Sequence, residues 1–137
     1  MNAPTALEAP AKLTVSLRIT GVRPDGYHLI DAEMVTLSLH DRIEIRRTPG
    51  SGRASVVYSG AWTPAGCSAD DLVARALEAA GIADVALHVV KEIPAGAGLG
   101  GGSADAAAVL RWAGVTDPDL ALSLGADVPF CVVGGRA

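Results

Sequence analysis

From Pro94 to Ala107 the chain reads Pro-Ala-Gly-Ala-Gly-Leu-Gly-Gly-Gly-Ser-Ala-Asp-Ala-Ala. Glycines at 96, 98, 100, 101 and 102 keep side chains away from a ligand. They can also take the positive φ values that turn successive N–H groups toward one point. A helix expected to begin near Ser103 would add its unbonded N-terminal N–H groups and the positive end of its dipole. The chemistry such a loop serves is the holding of phosphate. Gly96, Gly98 and Gly101 satisfy G-x-G-x-x-G literally, and Gly96, Gly101 and Ser103 have the separation of a P-loop. Gly102 stands where a P-loop carries its lysine, so a cation facing the phosphates has to come from elsewhere in the chain or from Mg2+.

The elements that would position this loop follow from periodicity and turn chemistry. Lys12 to Thr20 alternates strictly, with Leu13, Val15, Leu17 and Ile19 on one face and Lys12, Thr14, Ser16 and Arg18 on the other, as in a half-buried strand. Gly21 to Gly26 reads as a turn, Leu29 to Leu39 and Arg42 to Arg46 as extended segments, Thr48 to Gly52 as a second turn and Ala54 to Ser59 as a short strand. Ser68 with Asp71 resembles a capping box ahead of Leu72, Val73, Ala76, Leu77 and Ala80, a helix that Gly81 closes. Val85 to Val90 is a strand feeding the glycine loop, and Ala104 to Ala113 a helix ended by Gly114. Asp117-Pro118 opens a short helix that Gly125 ends, and Val128 to Val133 is expected to be a last buried strand. Several strands before the first helix, then strand, helix, helix, strand, make an α+β fold. That order disfavours a dinucleotide-binding βαβ alternation, and with it an oxidoreductase.

At 137 residues with half of them hydrophobic, the chain amounts to one domain or part of a larger protein. A net charge of −4, without a Lys/Arg cluster, argues against a nucleic-acid partner. No basic start precedes an apolar run at the N-terminus and no apolar stretch is long enough to span a bilayer, so the expected compartment is the cytoplasm. Cys67 and Cys131 fit no CxxC pattern and read as buried reduced thiols, and His28, His40 and His88 lack metal-ligand spacing. Trp62 and Trp112 read as structural.

Pro10-Ala-Lys-Leu-Thr14, Asp25-Gly-Tyr-His28, the Pro94 to Ala107 loop and Leu124-Gly-Ala-Asp-Val-Pro-Phe130 occur in the order and approximate spacing of the GHMP small-molecule kinases, which the chain resembles from Ala9 to its end. Pro94 to Leu99 matches the superfamily as a whole. The Asp-Gly-Tyr-His and Gly-Ala-Asp-Val-Pro elements are most similar to the branch that phosphorylates the 2-hydroxyl of 4-diphosphocytidyl-2-C-methyl-D-erythritol in isoprenoid precursor synthesis. The resemblance implies an α+β domain like ribosomal protein S5 domain 2, an antiparallel or mixed sheet packed with helices. ATP and Mg2+ are implied with it. Asp127 would be the catalytic base and Lys12 the catalytic cation. Pro94, Ala95, Gly96, Ala97, Gly98, Leu99, Gly100, Gly101, Gly102 and Ser103 would bind ATP phosphates, with Ser103 also a possible Mg2+ contact. Thr14, Tyr27 and His28 would bind the cytidine diphosphate-linked methylerythritol.

The chain departs from the family at Thr14, where Asn is usual, at Ala104, where a second serine is usual, and at Asp71, where Asn is usual near the adenine or ribose. Family members run to roughly twice this length, as two-domain cleft enzymes do. Residues 1–137 are therefore expected to be the N-terminal, ATP-binding domain with the C-terminal GHMP domain absent, a fragment inactive or weakly active alone and able to self-associate through a strand edge at its end. Two other readings remain open: a GHMP kinase for homoserine, mevalonate or a sugar, which has no use for Tyr27 and His28, and a non-catalytic nucleotide-binding module. Taken singly, Lys12 fits a solvated strand charge, Asp127 a turn or cap residue, and Tyr27 and His28 packing residues.

Overall fold

Two long strands, β1 (Thr5–Val22) and β2 (His28–Arg47), run antiparallel along one side of a four-stranded sheet. The computed structural model describes residues 4–22, 24–26, 28–62, 71–94 and 98–134, without the side chains of 16–19 and 28–32. β3 (Ala54–Ser59) forms the far edge, parallel to β4 (Val85–Val90), which lies between and pairs antiparallel with Arg42 to Arg47 of β2. A parallel neighbour requires a crossover, and α1 (Leu72–Ala79) supplies it. Three further helices follow: α2 (Gly101–Ala113), α3 (Pro118–Leu124) and α4 (Val128–Val133). The α+β class and the mixed sheet packed with helices are as the sequence indicates.

The period of two in β2 and β4 decides which face carries the helices. Ile43, Ile45, Val85, Leu87 and Val89 are buried while Arg42, Glu44, Arg46 and His88 point to solvent. α2 packs against α1, α4, β1 and β2, and every residue from Ala104 to Leu110 is buried. Its alanines let neighbours approach on all sides at no cost in side-chain entropy.

Several expectations are corrected. Val128 to Val133 is helical: Pro129 suits a first turn, Cys131 N–H donates to Asp127 C=O at 3.1 Å, and Gly134 ends the turn. In so short an apolar run, period alone does not separate helix from strand. The strand edge expected at that end is accordingly replaced by a helix among the described residues. α2 begins at Gly101, three residues before Ala104, because Gly100 turns the chain at φ 69°. α1 is capped by Asp71 itself, which accepts from the N–H of Val73 at 2.8 Å and of Ala74 at 3.4 Å. Ser68 lies outside the described residues. The two extended segments expected after the first turn form one continuous strand, β2.

A further correction concerns β1. Between Pro10 and Lys12 the register shifts, so that residues 37–39 of β2 stand opposite Ala11 alone. Alternation breaks there, and the consecutive residues Ala11 and Lys12 are both buried. Beyond this point Leu13 and Val15 are 44% and 50% exposed, the inverse of the expected arrangement. The strand is present, but Leu13 and Val15 lie on its uncovered face. Val15→Thr should therefore change stability by no more than about 0.5 kcal/mol, whereas Ile43→Ala should cost about 2–5 kcal/mol in urea denaturation.

Candidate active site

Lys12 is carried inward by the break in β1, and the glycine loop is fitted to it. The Lys12 N–H donates to Leu99 C=O at 2.9 Å, which fixes the loop to the strand by its backbone. A Cβ on Gly100 would lie 2.9 Å from Lys12 Cγ and 3.0 Å from Cε, so the lysine stem occupies the space a side chain at 100 would need. Gly100 also has the left-handed backbone that precedes α2, two independent reasons for glycine at this position.

The end of that stem meets two of the residues the sequence singles out. Lys12 Nζ donates to Thr14 Oγ1 at 3.1 Å and lies 3.3 Å from Asp127 Oδ2. Asp127 occupies the N-cap of α4, yet its side chain accepts no capping bond from that helix. Its carboxylate is free of the task that the turn-or-cap reading gives it and faces an ammonium instead. The Lys12 side chain is 10% exposed and that of Asp127 39%, so the cation is nearly enclosed while the carboxylate still reaches solvent. Lys12 is thus not a solvated strand charge. The pair lies beside a cleft of about 290 Å³ lined by Lys12, Thr36, Arg111, Phe130 and Cys131 among others.

The first turn of α2 completes the arrangement. Gly98, Leu99, Gly100, Gly101, Gly102 and Ser103 lead into and begin this helix, so Gly101 and Gly102 are helical rather than part of the loop proper. Among the described residues α2 has no side-chain cap, and an α-helix leaves its first N–H groups without intrahelical partners, which suits an anion. Ala104, where a second serine is usual, is buried in the core. Asp71 is engaged with α1 and with the Tyr58 hydroxyl, so the charge it introduces is already held by protein groups. Tyr27 and residues 95–97 lie outside the described residues, as does the side chain of His28, which begins β2.

Sequence reasoning missed a buried ionic cluster directly below the loop. Lys91 Nζ lies 2.5 Å from Asp41 Oδ2 and 2.6 Å from Asp105 Oδ2, with all three residues buried. Asp41 Oδ1 also accepts from the N–H of Glu92 at 2.6 Å and of Ile93 at 2.8 Å. The available signal was Asp105 inside an alanine run and Asp41 one residue before an alternating strand, charges at positions whose pattern points inward.

The cluster divides its protons unequally. Burial alone would raise the Asp41 carboxyl, but its bonds to the Asp105 side chain, to Lys91 and to two backbone N–H groups outweigh that and hold it below its ordinary value. For Asp105 burial dominates, the neighbouring Asp41 adds to it and Lys91 opposes, leaving the carboxyl pushed up to about 8. Its Oδ1 is buried without a hydrogen-bond partner, an unfavourable place for half of a carboxylate charge. Lys91 is raised, because the two carboxylates overcome its burial. The raised Asp105 carboxyl and the lowered Asp41 carboxyl together favour holding the cluster's proton on Asp105 beside the Lys91 ammonium. On α4, burial pushes the free Cys131 thiol up to about 11, with Asp127 adding to the effect.

The fold is that of the GHMP class: residues 66–135 match the GHMP kinases N terminal domain, and the chain belongs to that family. Among curated relatives, the 4-diphosphocytidyl-2-C-methyl-D-erythritol kinase of Pelotomaculum thermopropionicum is 44% identical over 97% of this chain and 50% of its own length. That of Rhizobium johnstonii is 44% identical over 91% of this chain and 46% of its own length. The chain spans about half the length of the curated relatives it matches. A solved 4-(cytidine 5'-diphospho)-2C-methyl-D-erythritol kinase superposes with a TM-score of 0.73 at 34% identity, over 97% of this chain and 52% of that one. A homoserine kinase from Cytophaga hutchinsonii shares the fold with a TM-score of 0.56 at 18% identity, over 97% of this chain and 43% of that one.

The proton held at Asp105 gives a stability test with a definite sign. The unfolded chain releases it above about 3.8 and the folded chain only near 8, so this contribution is fully present below 3.8 and is lost as pH rises toward 8. Asp41 acts oppositely, its contribution being lost as pH falls below 3.8. Asp105→Asn cannot ionise, so its stability relative to the parent chain should rise steadily from about pH 4 to about pH 8 in urea denaturation. A difference that does not vary with pH would contradict the assignment.

Proposed function

We propose that this chain supplies the ATP-binding half of a kinase that phosphorylates the 2-hydroxyl of 4-diphosphocytidyl-2-C-methyl-D-erythritol. The observation that carries the reading is the Lys12–Asp127 pair, 3.3 Å apart, set beside the start of α2, which has no side-chain cap among the described residues. The printed names of the relatives that match most of the chain at 44% identity support this substrate.

In this reading the N–H groups at 98–103 hold the phosphates of ATP, and Ser103 donates to a phosphate oxygen. Thr14, Tyr27 and His28 engage the cytidine-linked substrate, Tyr27 by its aromatic face and His28 by a polar edge. Asp127 orients the substrate hydroxyl and accepts its proton. The hydroxyl oxygen forms a bond to the γ-phosphorus as the bond from that phosphorus to the bridging β,γ-oxygen breaks, and ADP leaves with that electron pair. Lys12 holds Asp127 oriented and stabilises charge on the group in transfer. It is the cation that Gly102 does not supply.

Mg2+ fits Ser103, whose hydroxyl is a hard oxygen donor, because a small ion that takes phosphate and water ligands needs no dedicated cage. Among the described residues no group of three or more His, Cys, Asp or Glu converges to form one. Bound there, the ion would neutralise phosphate charge.

The test is coupled ADP release with Mg-ATP and 4-diphosphocytidyl-2-C-methylerythritol, in this chain and in the same chain joined to the C-terminal half of a relative. Cytidine-dependent turnover is expected in the joined protein. Asp127→Asn should lower kcat about 10²–10⁴-fold and Lys12→Met about 10²–10³-fold with the fold retained. Turnover of homoserine, mevalonate or a sugar in its place, or indifference to both substitutions, would overturn the proposal.

A further inference from the structure

The glycine loop is a short segment whose two ends have to stay at a fixed separation if its N–H groups are to converge on one anion. Both ends are tied to the same buried point. On the entrance side, Asp41 Oδ1 of β2 accepts from the N–H groups of Glu92 and Ile93, the residues immediately before Pro94. The Lys91 N–H donates to Ser59 C=O at 2.8 Å, which adds β3 to the anchor. On the exit side, Asp105 of α2 accepts from Lys91 Nζ. Gly101 rests on the same ammonium, since a Cβ there would lie 3.2 Å from Lys91 Nζ and 3.3 Å from Ile93 Cγ2.

We propose that Lys91, held between Asp41 and Asp105, is the positioning residue of the phosphate site: one buried ammonium that sets the distance between the entrance and the exit of the glycine loop. The inference rests on the reading of that loop as a phosphate cradle. Lys91 is 7% exposed and is covered by Gly101, so it acts through the backbone and not by touching phosphate. This separates its task from that of Lys12, whose ammonium faces Asp127. The charged groups bearing on Asp105 among the described residues are Lys91 and Asp41, and the Cys131 thiol of α4 feels Asp105 from another side. Asp41 shares the Lys91 ammonium with Asp105 and bonds the Asp105 carboxyl, so the three groups act as one cluster. Misplacement of the loop by about an ångström is enough to weaken a phosphate site strongly.

The test is amide hydrogen exchange in the unliganded chain, read at residues 98–105 against β4, together with Mg-ATP affinity. Asp105→Ala releases the exit and leaves the Lys91–Asp41 pair in place. It should speed exchange at 98–105 at least about tenfold while β4 is unchanged, and weaken Mg-ATP binding by a similar factor. Asp105→Asn keeps an acceptor for Lys91 and should restore both. Gly101→Ala forces a methyl against the ammonium and should speed exchange at 98–103, although alanine is the better helix former. It decides the matter on the same readout if Asp105→Ala does not fold. Loop exchange equal to the parent in a folded variant, or equal acceleration of every element, would overturn the proposal. Failure of the parent chain to bind Mg-ATP would count against the phosphate reading and still leave the exchange comparison decisive for the clamp.

Discussion

An ammonium group removed from water has to be surrounded by acceptors, and where Lys91 is buried fixes much of this molecule. Its partners come from β2 and from α2, and its own backbone continues β4 and bonds to the end of β3. Three of the four strands and the central helix therefore meet at one charge. Removing either carboxylate alone leaves the others imperfectly matched, which is why the cluster specifies an arrangement more than it adds stability. The proton on Asp105 makes this tolerable: two full carboxylates beside one ammonium would leave a net negative charge beneath a loop suited to anions.

Above that cluster the site is assembled by a fault in a strand. Regular alternation along β1 would send Lys12 to solvent, opposite Leu13 and Val15. The register shift after Pro10 buries Ala11 and Lys12 together, and the lysine stem then fills the space left by the missing side chain of Gly100. Strand irregularity, loop glycine and the N-cap of α4 thus converge on one ammonium and one carboxylate. Each is a weak feature alone, and together they produce a polar pair at the start of a helix.

Much of this was legible in the sequence. The turns at Asp-Gly and Pro-Gly, the Asp-Pro start of α3 and the alternating β4 carry their local chemistry openly and fold accordingly. Lys12 and Asp127 were picked out by resemblance, and the structure brings them within an ion pair. What was not legible depends on partners far along the chain. The face of β1 is decided by its register on β2, and Val128 to Val133 is apolar enough for either element until the N-cap at Asp127 and its packing on α2 settle it. Asp41, Lys91 and Asp105 are separated by 50 and 14 residues, so no local pattern could join them.

The most direct measurement of the central claim is an amide chemical-shift titration of the folded chain with a non-hydrolysable Mg-ATP analogue. The largest shifts are expected at residues 98–104, with Lys12 moving at the same saturation point. Largest shifts on the opposite sheet face around Glu44 and His88, or none at a saturating concentration, would contradict it.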